Sequence, residues 1–309
     1  MNITISGLCF YFTLFLLLMI RPVSAALPTA EAEDTRFREL LDYAYIADST
    51  YKGKDVIEKV LADRGYVLTS HGQLPGYYLS YFVATNETLQ RQIVAVRGTS
   101  NIENVVVDIA FKLLPNDATG IKLHQGFGRS ADYLFETIEP VLKKDFRIDT
   151  TGHSLGGAAA LILAMYLDAR GYDVGKVITY GQPKVTNVAG SRKYSHLDVT
   201  RVVMPKDVVP LVPPMDPLEL MNMNIYWHQG TEIVLQQGNT YSELQGMDSM
   251  LRATDFFNDV PSTDNVENHF MTTYIDALIP KLVQPTKVPY KNDFSVTDLF
   301  GNASDKNQR

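Results

Sequence analysis

Residues 146 to 169 pass from a strand-like entry at Phe146-Arg147-Ile148 through Gly152-His153-Ser154-Leu155-Gly156-Gly157 and straight into Ala158-Ala159-Ala160-Leu161. A strand that turns directly into a helix, with a serine at the bend, admits few architectures. The bend must be tight, so Ser154 is expected in a strained conformation, with flanking glycines that keep side chains from colliding across the turn. The helix predicted from Leu155 to Ala169 aims the positive end of its dipole at any negative charge that develops beside the serine oxygen. A glycine-rich turn that happens to contain a serine is the plainer explanation. The placement between strand and helix argues against it and makes Ser154 a candidate nucleophile.

The rest of the chain supplies the context. Helical spacing of Phe37, Leu40, Leu41 and Ala44 predicts a helix over about 31–61. A turn at Gly72 to Gly76 leads into strand-like Tyr77 to Val83, and Ile93-Val94-Ala95-Val96 is a short apolar run ending at Gly98, as buried strands do. Helical periodicity returns from Gly126 to Leu142. Strands are predicted at Val177 to Tyr180, Val199 to Met204 and Ile225 to Leu235, and a last helix at His269 to Leu278. Alternating strands and helices predict an α/β fold with a mostly parallel sheet.

Composition narrows the function classes. Of 309 residues 45% are hydrophobic and 20% charged, an ordinary globular balance with a sizeable core, and the formal charge of −7 points away from nucleic acid and from a polybasic membrane anchor. Gly7 to Ile20 is apolar apart from Thr13 and exits through Arg21-Pro22 into Val23-Ser24-Ala25-Ala26, which fits a cleaved signal segment over 1–25 and hence export. The six residues before it carry no Lys or Arg, so an uncleaved membrane anchor is the alternative. The only cysteine, Cys9, lies in that segment, so residues 26–309 contain no disulfide. A catalytic domain over 26–283 and a polar tail over 284–309 complete the expected organisation. Asn86-Glu87-Thr88 and Asn302-Ala303-Ser304 fit the glycosylation sequon, which matters only in a eukaryotic host. No metal constellation, phosphate-binding loop or cofactor motif is visible; a cofactor-free monomer is expected.

An ordered set of segments from about Ile93 to Tyr274 resembles the fungal-type, class 3 triacylglycerol lipases. The segments are Val96-Arg97-Gly98-Thr99, His124-Gln125-Gly126-Phe127, the Gly152 to Gly157 bend, Tyr180-Gly181-Gln182-Pro183, Asp207-Val208-Val209-Pro210, His228-Gln229-Gly230-Thr231-Glu232, and His269 with Tyr274. The resemblance implies an α/β-hydrolase fold and a serine esterase acting on acyl esters.

A serine needs a base, and the base needs an anion to hold its tautomer; on such a fold the chain order is Ser, then Asp or Glu, then His. Of histidines 71, 124, 153, 196, 228 and 269, only His228 and His269 come late enough. His228 falls inside a predicted strand, whereas His269 opens the last helix on a connection that can lean over Ser154, and the resemblance also places the base at His269. Asp207 follows the strand at 199–204, where such sheets keep their chemistry. The resemblance gives it the orienting role, although spacing alone also admits Asp198 and Asp216. His153 is expected behind the site rather than as its base, since neighbours along a tight turn face apart. The Leu155 N–H is an oxyanion donor by the geometry of the turn, and by resemblance Thr99 is the second.

Between Thr99 and His124, Ile102, Val105, Val106 and Ile109 form one apolar helical face. By resemblance this is a lid that opens at a lipid–water interface; a surface helix packed permanently on the core gives the same pattern. Met215, Leu218, Leu220, Met221 and Met223 are candidate acyl-groove residues, or simply core fillers. Two features depart from the family: its secreted members usually carry disulfides, and residues 205–223 align poorly. The expected substrate is an aliphatic acyl ester. The alternatives are a lidless esterase for acetyl or feruloyl esters, a phospholipase A1, or an inactive binding protein, the last disfavoured by the intact Ser154, Asp207 and His269.

Overall fold

The computed structural model describes residues 30–77, 79–98, 112–213, 225–252 and 266–291. The described part starts with two helices, α1 (Ala30–Ser49) and α2 (Lys54–Ala62), where the periodicity predicts one. The break falls at 50–53, where turn bonds from Thr50, Tyr51 and Lys52 to Ala47, Asp48 and Ser49 end the first helix. An antiparallel pair follows, β1 (Val67–Leu74) and β2 (Leu79–Asn86), and β3 (Arg91–Arg97) pairs antiparallel with β2. After a short hairpin of β4 (Leu113–Asn116) and β5 (Ile121–His124) comes α3 (Gln125–Ile138).

The centre of the molecule is β6 (Arg147–His153), α4 (Leu155–Ala169) and β7 (Asp173–Tyr180). Next come β8 (Thr186–Asn187), α5 (Val188–Lys193), β9 (Asp198–Val203), β10 (Tyr226–Trp227), β11 (Thr231–Leu235), β12 (Thr240–Leu244), α6 (Gly246–Arg252), α7 (Met271–Leu278) and β13 (Thr286–Lys287). Among the described residues the main sheet has nine strands in the order β1-β2-β3-β6-β7-β9-β11-β12-β13, parallel from β3 to β11. A second, antiparallel sheet has the order β10-β8-β5-β4.

The parallel strands are buried on both faces, which is why they read as continuous apolar runs. Along β3, Val94 and Val96 pack with α3 and α4, whereas Ile93 and Ala95 pack with α1 and α7 on the opposite face. Helix α4 is buried all round from Gly156 to Leu167, as a helix hydrophobic on every side must be. The fold is the α/β-hydrolase architecture, a mostly parallel central sheet flanked by helices.

Two further sequence expectations are corrected. The single strand over Ile225 to Leu235 is two short strands in different sheets, separated by Gly230 at φ +73°, where a Cβ would lie 2.3 Å from the Val199 carbonyl oxygen. His228 therefore lies in the link between strands rather than within one. The chain also stays in the sheet past residue 283: β13 pairs with β12, so the expected start of a tail at 284 falls inside the folded part. The expected signal segment with Cys9, and residues 292–309, lie outside the described residues. Among the described residues no helix is long and apolar enough to cross a membrane.

Candidate active site

The site forms where β6, β7 and β9 end, at the carboxyl edge that parallel sheets reserve for ligands. Ser154 caps α4 at φ 58° and ψ −131°, a left-handed conformation that L-residues avoid unless the surroundings impose it. What imposes it is close backbone packing. A Cβ on Gly152 would lie 2.5 Å from the Gly156 oxygen, and one on Gly156 only 2.2 Å from the Val96 oxygen, so glycine is required on both sides of the bend. The Ser154 N–H donates to the Tyr180 carbonyl at 2.9 Å, which ties the bend to the end of β7.

One residue further, Gly181 at φ +56° leaves room for the two remaining groups. A Cβ there would sit 2.8 Å from His269 Cε1 and 2.9 Å from Asp207 Oδ2. His269 Nδ1 donates to Asp207 Oδ2 at 2.7 Å. Tyr274, one turn into α7, donates its hydroxyl to the same oxygen at 2.5 Å, and the Val209 N–H donates to Asp207 Oδ1 at 2.9 Å. Asp207 thus accepts from three donors and has no exposure, so its buried oxygens are satisfied by hydrogen bonds. Burial and that carboxylate together push the Tyr274 phenol well above its ordinary range, so it stays a donor. Ser154 and His269 are likewise wholly buried, and Ser154 Oγ and His269 Nε2 have no hydrogen-bond partner among the described residues.

The structure thus gathers Ser154, Asp207 and His269, and it separates the alternatives from them. His228 turns away: its Nε2 donates to the Pro210 carbonyl at 2.7 Å, and burial lowers its pKa well below the usual histidine value. Asp198 is exposed at the start of β9, and Asp216 lies outside the described residues. Leu155 is the first residue of α4, so its N–H has no acceptor within the helix. Thr99 lies outside the described residues, as do Ile102, Val105, Val106 and Ile109 and the five acyl-groove candidates between 215 and 223. β3 nevertheless ends with Arg97 in register with His153, so the chain leaves β3 beside the bend.

Sequence reasoning missed the scaffold under the Asp207 loop. Lys184, fully buried, donates to the Leu211 and Pro213 carbonyls, and with His228 on Pro210 it clamps the loop from below. Burial, then the charges of Arg252 and Arg201, lower the Lys184 pKa to about 7. Next to it Glu232 accepts from Arg201 at 2.9 Å, from Arg252 and from Ser249, every member buried. The available signal was a run of polar residues, His228 to Glu232, within an otherwise apolar stretch. Among the described residues no group of three or more His, Cys, Asp or Glu is placed to hold a metal ion.

Fold and site together are those of α/β-hydrolases with a serine at the strand-to-helix bend. Residues 93–216 match the family model for class 3 lipases. A lipase of Rhizopus niveus is 26% identical over 287 residues, covering 82% of this chain and 70% of its own length. The secreted mono- and diacylglycerol lipase 1 of Fusarium solani is 27% identical over 227 residues, covering 71% and 66%. Among solved structures, the Rhizomucor miehei triacylglyceride lipase superposes with a TM-score of 0.55 at 25% identity, over 65% of this chain and 80% of its own. The lipase of Rhizopus microsporus var. chinensis does so with 0.56 at 24%, over 65% and 74%, and shares the fold. Over its central region the chain is similar to the class 3, fungal-type lipases.

Proposed function

We propose that this protein is a serine carboxylester hydrolase that cleaves acylglycerol esters, with Ser154 as nucleophile, His269 as general base and Asp207 as the anion that orients it. One observation carries the reading. Ser154 Oγ and His269 Nε2 are both buried and, among the described residues, unpaired at one edge of the sheet, while the far nitrogen of His269 is locked onto a triply bonded carboxylate. Nδ1 donates to that carboxylate, so a neutral imidazole must present Nε2 as an acceptor, the tautomer a base requires.

In the first step Ser154 Oγ attacks the ester carbonyl carbon as His269 Nε2 takes the hydroxyl proton. The carbonyl oxygen gains the negative charge, against the Leu155 N–H and the N-terminus of α4, with Thr99 as the second donor. Each such donor is worth about 3 kcal/mol of barrier. The intermediate collapses to an acyl-Ser154, and His269 returns the proton to the departing alcohol. Water then repeats the sequence, and the carboxylic acid leaves.

The complete burial of Ser154 supports a site that must open before an ester can enter. The segment with Ile102, Val105, Val106 and Ile109 is the proposed cover, opening at a lipid–water interface. Export, with residues 1–25 removed, is part of the same proposal, supported by a relative named as a secreted lipase; action as a monomer is proposed with it. The test is the rate on a short-chain triglyceride followed through its solubility limit. A sharp rise above the limit is expected. A rate that saturates below it would leave a lidless soluble esterase instead.

A further inference from the structure

Behind the reacting face, three segments far apart in the chain meet through two side chains that the proposed reaction does not use. Tyr51, in the link between α1 and α2, lies with its hydroxyl 2.8 Å from His153 Nδ1. His153 Nε2 lies 2.6 Å from the main-chain oxygen of His269. We infer that Tyr51 and His153 form a hydrogen-bonded strut that sets the position of the His269 backbone, and that both are positioning residues for the ester hydrolysis proposed above, on which this inference rests.

The direction of every bond in the strut is fixed. A carbonyl oxygen only accepts, so the His153 proton sits on Nε2. Nδ1 is then an acceptor, and the Tyr51 hydroxyl must be its donor. Burial, and after it the nearby charge of His269, hold the His153 pKa well below the usual value, so the ring stays neutral and keeps this single tautomer. The two imidazoles pack with ring centroids 4.5 Å apart; a neutral His153 places no like charge beside His269 when that ring takes up a proton.

The far end of the strut is anchored as well. The Tyr51 N–H bonds to the Asp48 carbonyl at 3.0 Å, and the Arg97 guanidinium lies over the Tyr51 ring, 5.5 Å from its centroid. The strut therefore joins the end of β3, next to the proposed donor Thr99, to the backbone of the proposed base. His269 precedes α7 and is outside its helical bonding; its N–H makes a turn bond to the Val266 carbonyl at 3.1 Å. Without the strut the residue keeps that turn bond and its side-chain bond to Asp207, which leave the ring able to tilt away from Ser154. Displacements of about 1 Å in such a site cost on the order of 100-fold in rate.

The experiment combines kinetics with ¹⁵N NMR of histidine-labelled protein, assigning the His153 ring as the signal lost in His153→Gln. The wild type is expected to show one neutral tautomer protonated at Nε2. Tyr51→Phe should keep its melting temperature within a few degrees, keep the His153 proton on Nε2 while the Nδ1 signal shifts as it loses its donor, and lose about 10-fold in kcat with KM changed less than about twofold, well inside that bound. His153→Leu should lose about 100-fold. His153→Gln, whose amide can donate to the His269 carbonyl and accept from Tyr51, should recover a large part of that loss. A wild-type ring protonated at Nδ1, a Tyr51→Phe enzyme with unchanged kcat, or a glutamine variant no better than leucine would each overturn the strut. The tautomer reading needs no turnover, so it decides the strut even if the wild type hydrolyses no ester, an outcome that would sink the functional proposal separately.

Discussion

Ser154 combines two unfavourable local features, a left-handed backbone and a buried hydroxyl without a partner among the described residues. Ser154→Ala deletes the second while keeping the first. A buried unpaired hydroxyl costs about 1 kcal/mol or more, so the alanine protein should melt about 2–4 °C higher than the wild type while losing ester hydrolysis. A lower melting temperature would show that the hydroxyl has a stabilising partner. Asp207→Asn tests the other end. Asp207 Oδ2 accepts both His269 Nδ1–H and Tyr274 O–H, and Oδ1 accepts the Val209 N–H. An asparagine has only one oxygen, so an amide N–H must oppose one of these donors, and His269 is driven to the wrong tautomer. A loss of about 10³–10⁴-fold in kcat is expected with little change in KM; a loss below tenfold would remove Asp207 from its proposed role.

At the scale of elements, the geometry depends on how closely α4 approaches β3. A Cβ on Gly156 would lie 2.2 Å from the Val96 oxygen and 2.7 Å from the Gly98 nitrogen, both main-chain atoms that cannot swing aside. Gly156→Ala should cost about 3 kcal/mol or more by denaturant titration. Gly171→Ala is the control: it too has a positive φ, +75°, but nothing lies within 4 Å of its added Cβ, so about 1 kcal/mol is expected. Equal costs at the two glycines would mean that α4 is not jammed against β3. The elements that carry the chemistry were legible in the sequence because they are locally determined. β6, the bend, α4 and β7 each announce themselves by apolar runs, glycines and small residues. Helix α1 and strands β10 and β11 were misjudged at their ends because turn hydrogen bonds and one positive-φ glycine, Gly230, set those boundaries, and neither changes the hydrophobic period.

At the scale of the whole molecule, the core encloses ionisable groups whose charge states tie stability to pH. His153 and His228 are both held neutral by burial, with pKa values well below 6.5. When the chain unfolds they return to about 6.5 and take up protons, so their contribution is complete above that pH and is lost as pH falls towards their folded values. With two such groups the slope approaches about 2.7 kcal/mol per pH unit. Lys184, lowered to about 7, acts with the same sign at higher pH, its contribution being complete only above the ordinary lysine value. Guanidinium midpoints should therefore rise steadily from pH 5 to pH 9; a flat profile or a maximum below pH 6 would contradict these charge states. None of this was readable from the sequence. The cluster of Lys184, Arg201, Glu232 and Arg252 is drawn from β9, β11, α6 and the link after β7, and only the sheet order makes them neighbours. His269, Asp207 and Ser154 were found because the chemistry demands a fixed chain order, whereas Tyr51 obeys no such rule.

The central claim is that the hydroxyl at the bend is activated by a histidine more than a hundred residues further along the chain. A fluorophosphonate probe reacts covalently with an activated serine, and peptide mapping identifies the residue modified. The account predicts a single modified peptide carrying the probe on Ser154, with labelling slowed at least about 100-fold in His269→Ala. Labelling elsewhere, or an undiminished rate in the histidine variant, would contradict it.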